Sequence, residues 1–221
     1  MIQAITDVFG QVLLFIYNNT GQNYGIAIIL LTIIIRLITF PLTHKQLASA
    51  KAMQDLQPHI KKIQEKYKDD KEKINQETMN LWKEHKVNPA AGCLPLLVQF
   101  PILIAIFRLL QEPSQLEGIK NFVFIGLDMT RALYVGGIWQ TNIGYYLLVL
   151  FSGFTTFYQQ KIMMTDKSQQ TMLYVMPVML LVFSARFPAG LVLYWVISNV
   201  LSIGHHFLLN KPVAEGALKQ E

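Results

Sequence analysis

The stretch Tyr24-Gly-Ile-Ala-Ile-Ile-Leu-Leu-Thr-Ile-Ile-Ile-Arg-Leu-Ile-Thr-Phe-Pro-Leu-Thr43 decides the fold. Its twenty residues would form a helix of about 30 Å, the thickness of a bilayer's hydrocarbon core. Nearly all are apolar, yet Arg36 stands thirteenth from Tyr24, about 18 Å along the axis. An arginine at mid-depth costs about 2.5–3.5 kcal/mol on insertion scales, so this helix needs a partner or water beside it. No Asp or Glu falls inside any apolar segment of the chain, which removes the buried ion pair as a solution. The reading adopted is a hydrated cavity beside Arg36. Snorkelling toward the polar residues beyond Pro41 is the alternative.

Outward from this span the chain repeats the theme. Apolar segments follow at Leu94–Leu110, Ile143–Tyr158, Met172–Phe187 and Leu191–Leu209. With tilt and flanking residues each is long enough to cross. The last two are joined only by Phe187-Pro-Ala-Gly190, a link that reverses the chain and predicts an antiparallel pair. Of the 221 residues, 52% are hydrophobic and 15% charged, where ordinary soluble domains have about 45–50% and about 25%. A soluble globular enzyme and a disordered chain are thereby excluded. So is a disulfide scaffold, because Cys93 is the single cysteine. Between Met1 and Thr20, the residues Ile2, Ile5, Val8, Phe9, Val12, Leu13 and Ile16 recur at helical spacing, interrupted by Gln3, Thr6, Asp7 and Gln11. That pattern predicts an amphipathic helix lying in the interface. Without a basic leader or a small-residue cleavage site, it is not expected to be a signal peptide.

The insert between the first two spans is of another kind. Residues 44–91 hold ten lysines and seven acids. Leu47, Ala50, Met53, Ile60, Ile63 and Tyr67 form one helical stripe, and Ile74, Thr78, Leu81 and Trp82 a second. Asp69, with Glu72 three residues on, is expected to cap the second helix. Pro58 is expected to kink or interrupt the first. The organisation expected is an interfacial helix at 1–22, transmembrane helix 1 at 23–43, a cytoplasmic helical hairpin at 44–92, transmembrane helices 2–5 at 93–210 and a tail at 211–221.

Charge orients these parts. Fourteen basic residues lie in the hairpin, the loop after the third span (Lys161, Lys167) and the tail (Lys211, Lys219). Two, Lys120 and Arg131, lie on the other side. The bias predicts an N-terminus outside and a cytoplasmic C-terminus. The hairpin's net charge of +3 is that of a solvated helix surface, with RNA or anionic lipid as minor alternatives. Arg108 and Arg186 lie near span ends, where snorkelling suffices.

Other polar groups interrupt the apolar runs: Thr32 one turn before Arg36, Gln99, Gln159 and Gln160, Tyr194 and Trp195, Ser198 and Asn199. Singly, each could join helices at about 0.6 kcal/mol. Together, around one uncompensated arginine, they favour a cavity lining. His205 and His206 are adjacent and do not share a helix face, so they read as interfacial rather than metal-binding. Hydrolase, zincin and phosphate-loop motifs are absent, as are paired intramembrane carboxylates. Catalysis, a cofactor and a metal are therefore not expected.

The arrangement resembles the YidC family of membrane protein insertases in its compact five-span form. The resemblance rests on Arg36-Leu-Ile-Thr-Phe-Pro-Leu-Thr43, Leu56-Gln-Pro-His-Ile-Lys-Lys-Ile-Gln-Glu-Lys-Tyr67, Asn88-Pro-Ala-Ala-Gly-Cys-Leu-Pro-Leu-Leu-Val-Gln-Phe-Pro101, Phe187-Pro-Ala-Gly-Leu-Val-Leu-Tyr-Trp195 and Ser198-Asn199. It implies an all-α protein of a bacterial cell membrane, with a hydrophilic inner-leaflet groove open to cytoplasm and lipid. It matches Arg36 to the family's groove arginine, and Thr32, Gln99, Gln159, Tyr194 and Trp195 to groove-lining positions. The hairpin matches a substrate-recruiting element. Nascent membrane proteins would be the clients, with the ribosome, the Sec translocon and anionic lipids as further partners and no role for DNA. The family's large extracytoplasmic domain is not expected here, nor is a lipid-attachment cysteine. The rival reading is an ion-coupled transporter using Arg36 as an anion site. Such proteins usually show internal repeats or helices broken at the midplane, and no second copy of the span-one pattern occurs.

Overall fold

The computed structural model describes residues 2–68, 70–85, 87, 94–111, 118–163 and 170–209. Among these described residues seven helices and four short strands follow in order: α1 (Ile2–Asn19), α2 (Tyr24–Lys66), α3 (Lys71–Glu84), α4 (Leu94–Gln111), β1 (Val123–Phe124), β2 (Leu127–Asp128), β3 (Tyr134–Val135), β4 (Ile138–Trp139), α5 (Ile143–Met163), α6 (Gln170–Ser184) and α7 (Ala189–Leu209). The tail from 211 onward, Lys167 and the stretch Asn88–Cys93 lie outside the described residues. Tyr24–His44 and Ala189–Leu208 are long and apolar enough to cross a membrane, and Gln99–Gln111 and Leu173–Ser184 form shorter apolar helices.

The helix α2 begins where Asn23 caps it, its side-chain oxygen accepting from the Ile26 N–H at 3.1 Å. It then runs unbroken for 43 residues, through Pro41 and Pro58. The expected interruption at Pro58 does not occur. Leu56 and Ile60 are both buried and flank the proline, so packing holds the helix where one N–H is missing. At α3 the cap falls on Asp70, whose carboxylate accepts from the Lys73 N–H at 3.0 Å. Asp69, the expected cap, lies outside the described residues. Starting at Lys71 places Glu72 in the first turn, where the helix dipole favours it. The ring of His85 at the end of α3 lies 6.3 Å from that of His59, so α3 folds back toward α2.

The core gathers Leu13, Ile16 and Tyr17 of α1, Tyr24, Ala27, Ile28, Leu31 and Ile35 of α2, and Ile106, Leu109 and Leu110 of α4. Helix α7 packs on α2 and α5, and α6 packs on α5. The short link before α7 reverses the chain, but α6 leans on α5 rather than on α7. Gly153 of α5 permits this, because a Cβ there would meet Leu181 Cδ1 at 2.9 Å. Large apolar side chains remain exposed along α5 (Leu147, Leu150, Phe154) and α6 (Val175, Val178, Val182). A water-soluble monomer would not leave so much apolar surface bare. Facing lipid, it costs nothing.

The reading as purely α misses two antiparallel hairpins between α4 and α5. Val123 pairs Asp128 and Phe124 pairs Leu127, while Tyr134 pairs Trp139 and Val135 pairs Ile138. They close one end of the bundle. The Gly190 N–H donates to the Met129 carbonyl and the Ala189 N–H to that of Arg131, both at 2.8 Å. The Tyr17 hydroxyl accepts from the backbone N–H of Lys120 at 3.2 Å and of Asn121 at 3.0 Å. Tyr24 meets Phe122 edge-on at 5.2 Å.

Candidate functional site

A helix advances 100° per residue, so residues four apart share a face and adjacent ones do not. On α7 this sorts four polar residues into two pairs. Tyr194 and Ser198 face α2 and α4, and Trp195 and Asn199 face α5.

On the first face, Arg36 donates through Nε to Ser198 Oγ at 3.0 Å. Its Nη2 donates to the same oxygen. Gln99 of α4 donates through Nε2 to the Tyr194 hydroxyl at 3.2 Å. Tyr194 stands one turn before Ser198 on the same face of α7. Three helices thus bring two polar pairs, Gln99–Tyr194 and Arg36–Ser198, onto one face of α7. Among the described residues the guanidinium is bonded to a neutral hydroxyl and has no carboxylate partner. Neutral hydroxyls satisfy donors but leave the charge uncompensated. A charge held so strengthens its attraction for any anion that reaches it, several-fold over bulk water.

On the second face lies a neutral network. Asn199 Nδ2 donates to Thr156 Oγ1 at 2.9 Å and to Thr155 Oγ1 at 3.2 Å. Trp195 Nε1 donates to Thr156 Oγ1 at 3.1 Å. Both threonine hydroxyls donate to the Ser152 carbonyl, and Ser152 Oγ reaches Ser184 of α6 at 3.3 Å. Every member is buried or partly buried and partnered. A satisfied network of this kind fixes the rotation of α7 about its axis, and with it the aim of Tyr194 and Ser198.

Of the six residues expected to line the site, the structure joins Arg36, Gln99 and Tyr194. Thr32 is fully buried and its hydroxyl donates back to the Ile28 carbonyl at 2.7 Å. Trp195 belongs to the neutral network. Gln159 is half-buried on α5 and forms no hydrogen bond to the others among the described residues. The sequence reading undervalued Ser198, which holds the arginine. It missed Thr155 and Thr156, though Ser152, Thr155 and Thr156 recur at spacings of three and four and could have flagged a polar stripe. At the far end of α7, His205 stacks on Phe40 at 4.3 Å. Among the described residues no group of three or more His, Cys, Asp or Glu could hold a metal.

A mostly helical bundle with bare apolar faces and an arginine held in its interior defines a membrane protein of polar-interior type. A family model described as 60Kd inner membrane protein matches residues 15–216. The chain is 42% identical over 211 residues to the membrane protein insertase MisCA of Bacillus subtilis, covering 91% of this chain and 76% of that one. It is 40% identical over 212 residues to a membrane protein insertase YidC of Fusobacterium nucleatum, covering 94% and 97%. With the YidC insertase of Citrifermentans bemidjiense it shares 39% over 203 residues, 91% of this chain but 36% of that protein. An active YidC insertase crystal structure with the first transmembrane domain resolved matches with a TM-score of 0.66 at 27% identity, over 90% of this chain and 45% of that one. The chain belongs to the 60Kd inner membrane protein family, that of the YidC insertases. The relatives' names support insertase function and a bacterial membrane location.

Proposed function

We propose that this chain inserts nascent membrane proteins by admitting their short extracytoplasmic tails to a hydrophilic groove in the inner leaflet. Arg36, Gln99, Tyr194 and Ser198 form the floor of that groove, and Thr32, Gln159 and Trp195 lie along its margins. A tail entering at the level of Arg36 crosses about half of the ~30 Å hydrocarbon core in contact with lipid, instead of all of it. The client's apolar segment then slides along α5 and α7 into lipid, and its burial drives the step without ATP. In this reading five helices span (the first part of α2, then α4 to α7), the N-terminus faces outward, and the hairpin and C-terminus face the cytoplasm, as the basic residues favour. The hairpin recruits clients, with the ribosome, the Sec translocon and anionic lipids as partners.

The observation that carries this reading is the guanidinium of Arg36, deep in an apolar helix and bonded to a neutral hydroxyl. Helices α2 and α7 also run unbroken past it, whereas transporter ion sites are commonly built from broken helices.

The test is protease protection of clients in liposomes holding the purified protein alone, with client tails carrying zero, one or two acidic residues. Arg36→Ala should cut insertion of the doubly acidic tail by about tenfold, the effect of about 1.4 kcal/mol, and leave the neutral tail nearly unchanged. Arg36→Lys should keep most of the activity, losing what the planar fork adds. Equal losses for all three tails would make Arg36 a structural residue and overturn the reading.

A further inference from the structure

The two β-hairpins carry an anomaly that the insertase reading does not use. Ile125, at the tip of the first, is 82% exposed. It also sits at φ 51°, a left-handed conformation in which a β-branched residue is an outlier and Gly or Asn would be at ease. Directly after the second turn, Gly136-Gly137, Ile138 is 70% and Trp139 54% exposed. Large apolar side chains at both tips, one held at a conformational cost, are unfavourable in water.

We propose that the two hairpin tips are seated in the lipid headgroup and upper acyl-chain region of the bilayer beside α5. This rests on the family's membrane location and not on the groove. The tips continue the apolar face of α5: the Trp139 ring lies 6.4 Å from that of Tyr146, and Ile143, Leu147 and Leu150 stay exposed from the start of that helix onward. The second hairpin has the chemistry of an interfacial belt. Tyr134 and Trp139 pack at 4.9 Å, and the Arg186 guanidinium lies 5.9 Å above the Tyr134 ring, where phosphate groups would be in reach. Depth is limited by the backbone. The turn residues Ile125-Gly126 and Gly136-Gly137 lie outside the ladders, and backbone N–H groups without partners cannot enter hydrocarbon. The hairpins therefore seat at the interface and go no deeper.

The test places an environment-sensitive fluorophore (NBD) on Ile125→Cys, Ile138→Cys and, as the aqueous reference, Lys71→Cys in α3, each in a Cys93→Ser background. The full chain is reconstituted in vesicles of phosphatidylcholine and phosphatidylglycerol, with iodide on both faces. Positions 125 and 138 should emit to the blue of position 71 and be quenched several-fold less by iodide. Nitroxide lipids should quench them, more strongly with the nitroxide near the headgroup than deep in the acyl chain. Iodide quenching equal to that at position 71 would put the tips in water and overturn the proposal. Shielding from both quenchers would mean that protein covers them, which overturns it equally. No client is inserted in this measurement, so its failure leaves the groove reading standing.

Discussion

Around Gly25, where α2 begins, the chain is packed so closely that an added Cβ would overlap the Phe124 ring. At α3, some 60 Å away along α2 by helix rise, no residue is buried at all. The first end is tied by bonds between segments distant in sequence: Tyr17 to Lys120 and Asn121, Gly190 to Met129, Tyr134 to Ala185. The Tyr145 hydroxyl accepts from the Asp128 N–H and donates to the Asp128 carbonyl. The second end buries Leu56 and Ile60 of α2 and caps its helix with one exposed carboxylate. Local opening costs little where few apolar contacts and few long-range bonds are lost. In the proposed insertion route a polar chain enters from the loosely held side.

The sharpest way to break this contrast is Gly25→Val. It should destabilise the protein by about 3 kcal/mol, since a β-branched side chain has nowhere to go but into Phe124; thermal unfolding in detergent would measure it. Tyr17→Phe removes the acceptor of two backbone N–H groups and should cost about 1–2 kcal/mol, read as a smaller drop in Tm. Met79→Ala, on the exposed face of α3, should stay within about 0.5 kcal/mol. Comparable losses from all three would show that the two ends are held alike.

The helices were legible because lipid-facing helices announce themselves by length and apolarity. α4, α5 and α7 begin within two residues of the segments read from sequence, whereas α5 and α6 end more than two residues away and α2 runs on from Thr43 to Lys66. The hairpins were harder. Their strands are two residues long, too short for any alternation to register. Gly136-Gly137 is a recognisable turn, but Ile125 adopts a positive φ that its side chain argues against. For the site, Arg36 was visible from its cost alone. Its actual partner was not, because α7 offers Tyr194, Trp195, Ser198 and Asn199 in succession. Which pair faces α2 depends on helix rotation, and that is set by Thr155 and Thr156 on a third helix.

The unbroken α2 also has the geometry of a lever. Its part beyond Thr43 is about 35 Å long, so a 10° change of inclination moves its tip by about 6 Å. Pro41 supplies no N–H to the carbonyl one turn back, which makes it the soft joint of the rod. That joint lies five residues past Arg36, on the far side from the polar floor. A change of inclination at that joint would move the arm carrying α3 and leave the bond between Arg36 and Ser198 in place.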